Sequence, residues 1–281
     1  MVKFGASILT WIPTWTTEGG KFALEQAAKT GYDVVEILLP NLADFDAKIA
    51  KKMAQDNGVA LNCSLILPQD HHLPFYPEKA KSLLLNALNV LDELEVKLLA
   101  GVLYTGIGVF TKAPRTADET NLIVDVIGEV ATVAKTKGIS LALEPINRYE
   151  TYLLTSVAEV VDIVSEIGLD NVGVQIDTFH ANIEESNMSM PVLQAGSLLK
   201  HVHAAASDRG ILGKDNIDWD GFFKALAAVD YQGSLVLESF SSEVQELVAP
   251  TSLWRKSAYS CDDLAVQSLQ FMKEMAVKAG L

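Results

Sequence analysis

The stretch Ile123-Val124-Asp125-Val126-Ile127-Gly128-Glu129-Val130-Ala131-Thr132-Val133-Ala134-Lys135-Thr136-Lys137-Gly138-Ile139-Ser140-Leu141-Ala142-Leu143-Glu144 contains one complete structural unit of this chain. Ile123, Val126, Ile127, Val130 and Ala134 recur at steps of three and four, the period of a helix with one apolar face. Gly138 follows where a helix stop belongs, because glycine takes the left-handed backbone that ends a helix without steric cost. A short run, apolar apart from Ser140, comes next and reads as a buried strand, and it ends on Glu144.

Outward from that unit the same pattern recurs. Strand-like runs fall at 4–9, 34–38, 60–65, 98–104, 139–144, 172–177, 200–204 and 234–238. Helical stretches fall at 18–30, 43–57, 78–95, 118–137, 156–168, 189–198, 218–229 and 262–279. In the fifth of these, Val157, Val160, Val161 and Val164 form one stripe, with Thr155 or Ser156 as N-cap and Gly168 at the end. Gly31 and Gly58 punctuate the chain as Gly138 and Gly168 do. Eight strand-then-helix units in 281 residues predict an α/β fold, a single (β/α)8 TIM barrel. A doubly wound open sheet fits less well, since no Gly-rich phosphate loop follows the first strand. No linker or low-complexity segment divides the sequence, so residues 1–281 are expected to form one domain.

Composition narrows the function classes. Lys and Arg number 22 against 36 Asp and Glu, a formal net charge of −14. That field repels nucleic-acid phosphates and anionic membranes, so neither is an expected partner. Two cysteines, Cys63 and Cys261, are too few for a disulfide framework and suit a reducing cytoplasm. The N-terminus shows no secretory signal pattern and no apolar run is long enough to span a bilayer, so a cytoplasmic location is expected.

In a parallel barrel, functional groups gather where strands end. Strand five ends on Glu144, strand six on Asp177, strand seven carries His203 near its end, and strand eight ends on Glu238. Four such groups on one rim call for a counter-charge. A divalent cation supplies it, and mixed carboxylate and imidazole ligation suits Mn²⁺, Mg²⁺ or Co²⁺ better than a thiolate-seeking metal. His201, two residues before His203, shares its face one layer deeper and reads as structural or as support for the site. Glu150, His180 and Arg209 lie in the segments after strands five, six and seven, within reach of hydroxyl and carbonyl groups. Arg148 stands beside them. Trp11 and Trp15 follow strand one, where an aromatic ring would wall a ligand pocket. The adjacent His71 and His72 read as a surface or lid feature.

Three segments carry a family resemblance. Glu144-Pro145-Ile146-Asn147-Arg148-Tyr149-Glu150 resembles the E-P-x-N-R-(F/Y)-E motif of ketose 3-epimerases, the group of D-tagatose and D-allulose (psicose) 3-epimerases. Asp177-Thr178-Phe179-His180-Ala181-Asn182-Ile183-Glu184-Glu185 is similar to that family's D-T-(F/Y)-H-x-N-I-E-E, and Gly233–Phe240 resembles its last-strand motif. The likeness spans essentially the full chain. It departs at His203-Ala204-Ala205-Ala206-Ser207-Asp208-Arg209, where the family reads H-x-G-E-x-x-R.

The resemblance implies C3 epimerisation of free ketoses of the D-tagatose, D-fructose, D-allulose and L-ribulose class. Glu144 and Glu238 would be both metal ligands and the acid/base pair, with Asp177 and His203 completing a one-ion site, Mn²⁺ first among the candidates. Glu150, His180 and Arg209 would hold O1 to O3 of the sugar. A homo-oligomer, dimer or tetramer, is the expected assembly. Phosphorylated sugars fit less well, because the segment 239–250 after strand eight holds no Lys or Arg. Three other readings remain: an aldose–ketose isomerase of the hydroxypyruvate type, an endonuclease-IV-like repair enzyme, and a non-catalytic sugar-binding barrel. Five histidines and the charge of −14 weigh against the endonuclease.

Overall fold

The computed structural model describes residues 2–281. Eight parallel strands close into a barrel in sequence order, β1 Lys3–Ser7, β2 Val34–Leu38, β3 Ala60–Leu67, β4 Leu98–Gly106, β5 Ser140–Leu143, β6 Val172–Asp177, β7 Leu199–Ala204 and β8 Ser234–Leu237, with β8 pairing back onto β1. Around them run α1 Thr17–Thr30, α2 Ala47–Asn57, α3 Pro77–Leu94, α4 Ala117–Thr136, α5 Val157–Ile167, α6 Thr178–Glu184, α7 Ser189–Ala195, α8 Trp219–Ala228, α9 Gln245–Val248 and α10 Cys261–Ala279. The expected (β/α)8 architecture is therefore the one observed.

The helices form for the reasons their sequences give. All five residues of the α4 stripe are buried against the barrel. On α5 the buried face is Val157, Val160, Ile163 and Val164, and Val161 is only partly covered. Its cap is Ser156, whose hydroxyl accepts from Glu159 N–H while Glu159 reaches back to the cap backbone, a capping box. Thr116 and Glu119 do the same for α4. Gly31, Gly58 and Gly168 close their helices in the left-handed conformation.

The structure corrects the sequence reading in three places. β1 stops at Ser7 and the chain turns into a 3-10 helix at Ile8–Thr10. The short helices α6 and α9 had no periodic signal of their own and were not expected. The stretch 43–57 is not one helix: a 3-10 turn at Leu42–Asp44 precedes α2.

Two interactions set the rim. The N–H groups of Glu144 and Glu238 continue the ladder beyond their strands, donating to Gly101 O at 3.1 Å and Ala204 O at 3.0 Å. Each glutamate is thereby fixed one residue past a strand end. Gly101 has φ +112°, and a Cβ there would stand 2.5 Å from Leu65 O, so no other residue fits where β3 and β4 close.

Candidate active site

Glu144, Asp177, His203 and Glu238 converge as the sequence predicts. One ligand atom from each lies within 4.8 Å of the others. They come from β5, β6, β7 and β8, and the pairing of Asp177 with His203 and of His203 with Val236 holds the last three strand ends level. Three carboxylates and an imidazole, with no thiolate, form a donor set that fits a hard or borderline divalent cation.

Asp177 also caps α6, accepting from Phe179 N–H at 2.8 Å, which leaves its other oxygen to the site. Arg209 Nη1 donates to that Asp177 oxygen at 2.7 Å and to Glu238 Oε2 at 2.9 Å. Its guanidinium stacks 4.1 Å from the Phe179 ring centroid. Arg209 therefore reaches the carboxylates themselves, although its place in sequence puts it a loop beyond them. Its φ of +59° is unusual for a side chain this large and is held by the surrounding pairs.

These charges set the proton affinities. Burial raises Glu144 well above the usual carboxylate range; the His203 charge opposes this, and the neighbouring Glu238 and Asp177 add to it. Burial lifts Asp177 to about 6, with Arg209 pulling down and Glu238 pushing up. Burial would raise Glu238 too, but His203 and Arg209 outweigh it and hold this carboxyl far below its ordinary value. Two carboxyls on one cavity thus prefer opposite protonation states.

His180, which α6 rather than a loop presents, accepts from Asn147 N–H at 3.2 Å and from Asn147 Nδ2 at 2.9 Å, both at Nδ1. Burial, then Arg209, pushes its pKa well below normal, so the ring is neutral. With Nδ1 accepting, Nε2 carries the hydrogen, and it stands 3.9 Å from Glu144 Oε1. Glu150 is held by Asn147 Nδ2 at 2.8 Å.

A cavity of about 790 Å³ opens above these groups and is lined by Glu144, Asn147, Glu150, His180, Arg209 and Glu238 on its polar side. Leu9, Pro13, Leu38, Ile66, Val102, Ile107 and Phe240 form its apolar walls. Arg209 is the only Lys or Arg in the lining.

Trp15, expected in the wall, is not there: its ring packs 5.7 Å from Phe45 and against Gly20, and Leu9 and Pro13 line the cavity instead. Arg148 pairs with Glu184 through Nε and Nη2 at 2.7–3.1 Å, outside the cavity. His72 is buried rather than on a lid, bonded to Thr105 Oγ1 at 3.1 Å and to Tyr152 O–H at 3.4 Å. Ala205 and Ala206 are fully buried and do not line the cavity; the Thr178 hydroxyl bonds both N and O of Ala205, tying α6 to the end of β7.

Sequence reasoning missed Glu36. It lies inside β2, fully buried, with His201 Nε2 and His203 Nε2 each 2.6 Å from one of its oxygens. The signal was present: a carboxylate in the middle of the apolar run Val34-Val35-Glu36-Ile37-Leu38. His201 is fully buried and meets Glu36 rather than the carboxylates of the rim.

The family model described as Xylose isomerase-like TIM barrel matches residues 24–275. An L-ribulose 3-epimerase of Methylomonas sp. (strain DH-1) is 34% identical over 279 residues, covering 97% of each chain. A ketose 3-epimerase of Arthrobacter globiformis is 33% identical, covering 97% of this chain and 96% of its own. The crystal structure of a D-allulose 3-epimerase from Methylomonas sp. in complex with D-allulose superimposes with a TM-score of 0.92, covering 98% of this chain and 97% of that one. With strand-end carboxylates, fold and full-length similarity in agreement, this chain belongs to the ketose 3-epimerases of the xylose isomerase-like TIM-barrel family and is an isomerase acting on sugars.

Proposed function

We propose that the enzyme inverts C3 of free ketoses by proton transfer between Glu144 and Glu238, with one divalent cation, Mn²⁺ foremost, held by Glu144, Asp177, His203 and Glu238. The observation that carries this is that Glu144 and Glu238 converge with Asp177 and His203 and both line one cavity. When bound, the cation supplies Lewis-acid stabilisation of enolate charge. The carboxylate of the pair takes the C3 proton as general base and leaves a planar cis-enediolate. The protonated partner, from the strand three places away in the barrel, returns a proton to the opposite face. His180 Nε2–H and the Arg209 guanidinium donate to the O1–O3 end of the sugar, and Glu150 accepts from a hydroxyl. His203 first and Arg209 second favour the anionic form of Glu238, which suits it to the part of the base.

A free ketose is favoured over a phosphorylated one because the sole lining cation, Arg209, is already engaged by two carboxylates. The whole chain, 1–281, would work as one domain and assemble as a dimer or tetramer. Both cysteines are free, in keeping with a reducing cytoplasm. Among the described residues no helix is long and apolar enough to cross a membrane.

Turnover of D-fructose, D-tagatose and L-ribulose by the metal-loaded protein in D2O, followed by NMR, tests the reaction. Deuterium is expected at C3 of the product ketose. Label at C1 or C2 with an aldose accumulating would make the chain an aldose–ketose isomerase, and no label would leave a binding barrel.

A further inference from the structure

A carboxylate sealed inside a barrel is costly unless its charge is matched. Glu36 is 0% exposed, and so is His201. Glu36 Oε1 meets His203 Nε2 at 2.6 Å in a hydrogen bond. Glu36 Oε2 meets His201 Nε2 at the same separation, but off the hydrogen-bond direction. The other nitrogen of His203, Nδ1, faces the cavity side, 3.4 Å from Glu238 Oε2 and 3.1 Å from Gln175 Nε2. The hydrogen bond to Glu36 keeps a proton on Nε2, so Nδ1, beside Glu238, is the nitrogen left to a metal ion.

Glu36, His201 and His203 are also close enough to be weighed as a second metal site. The spacing argues otherwise. Two donors at right angles on one ion, with bonds of about 2.1 Å, stand about 3 Å apart. Contacts of 2.6 Å are hydrogen-bond separations and leave no place for an ion.

We propose that Glu36 is a positioning residue of the metal centre: by accepting the Nε2 hydrogen it fixes His203 in the one tautomer that turns a bare Nδ1 toward the cation, and His201 clamps the far oxygen of Glu36. The inference rests on the metal reading given under Proposed function. The logic is that of any metal-ligating imidazole whose second nitrogen is fixed by a carboxylate. Here the carboxylate comes from β2, on the far side of the barrel from the ligand-bearing strands, so the clamp ties the centre to the opposite wall.

Two measurements test it. The first uses wild-type protein, ¹⁵N-labelled at histidine and loaded with diamagnetic Mg²⁺, with the His203 signals assigned by their loss in His203→Gln. Long-range ¹H–¹⁵N spectra are expected to show His203 protonated at Nε2 and metal-bound at Nδ1; the reverse tautomer would overturn the proposal without need of a variant. The second is calorimetric titration of Mn²⁺ into chelator-treated protein. Glu36→Gln keeps the volume but removes the charge and is expected to weaken Mn²⁺ about 10–100-fold. His201→Gln leaves Glu36 in place and should also weaken binding, by less. A merely structural role would lower the melting temperature of the metal-free variants and leave their Mn²⁺ affinity at the wild-type value, and that result would sink the idea. Wild-type protein that takes up no Mn²⁺ would overturn the metal reading and this inference together, whereas unchanged variants overturn this inference alone.

Discussion

At the residue scale, the proposed function concentrates in two glutamates whose environments differ although their positions are equivalent. Each stands one residue past a strand end with its backbone hydrogen-bonded to the neighbouring strand. What separates them is the direct company of Glu238, with His203 Nδ1 at 3.4 Å and Arg209 Nη1 at 2.9 Å. Glu144→Gln and Glu238→Gln each delete a proton-transfer group, so each is expected to cut turnover by about 10²–10⁴-fold or more. Product chromatography from a ketose substrate checks this; a variant with near-native turnover would break the two-base scheme. His72 gives a second test at this scale. Burial pushes its pKa from 6.5 down to about 4. As pH falls through that window the unfolded chain takes up this proton before the folded chain does, so stability is full above about 6.5 and declines toward 4. Denaturant melts of His72→Gln between pH 7 and 4 should show a flatter acid slope than wild type, in the range set by that shift.

At the scale of elements, the site depends on the loops after β4 and β5 being anchored to the barrel. Tyr104, fully buried on β4, donates its hydroxyl to the carbonyls of both Glu144 and Leu154 at 2.9 Å. Tyr104→Phe removes that donor; Leu154 O keeps its bond from Ile146 N–H at 3.3 Å while Glu144 O loses the hydroxyl, at a cost of about 1–3 kcal/mol. Urea denaturation measures it, and a loss below about 0.5 kcal/mol would mean Glu144 O finds another partner. The cap of α5 was legible, as Thr155 or Ser156, because capping is local: Ser156 and Glu159 are three residues apart. The short helix α6 was not legible. Its seven residues are too few to form a periodic stripe, and Asp177 at its cap together with Thr178 bonded to Ala205 hold it in place.

At the scale of the whole molecule, Glu144, Asp177, His203 and Glu238 bring four strand ends to one mouth, and a cation bound there would join them beyond the pairing that Arg209 already supplies. A ligand that binds only the folded chain stabilises it by mass action, by about 2.7 kcal/mol at a hundredfold excess over its dissociation constant. Exhaustive chelation is therefore expected to lower the melting temperature by several degrees, about 2–4 °C for each kcal/mol lost. Readdition of Mn²⁺ should restore it. Identical melting curves with and without chelator would count against a tightly held ion.

The sequence by itself determined the barrel and the convergence of four rim groups. Helix stripes, glycine stops and strand-end carboxylates are local features, and eight repeats of one unit leave few ways to close a sheet. Glu144, Asp177, His203 and Glu238 could be named because a parallel barrel sends every strand end to the same rim. What tertiary structure alone decided is which side chains meet across the barrel. Glu36 and His203 are 167 residues apart, and no period links them. Trp15 sits in the right loop yet packs against Phe45, because 3-10 winding at Ile8–Thr10 redirects the chain and brings Leu9 and Pro13 to the cavity. The reach of Arg209 into the carboxylates follows from a left-handed backbone that no local pattern announces. Local chemistry sets what each element is; only closure of the barrel sets what each side chain touches.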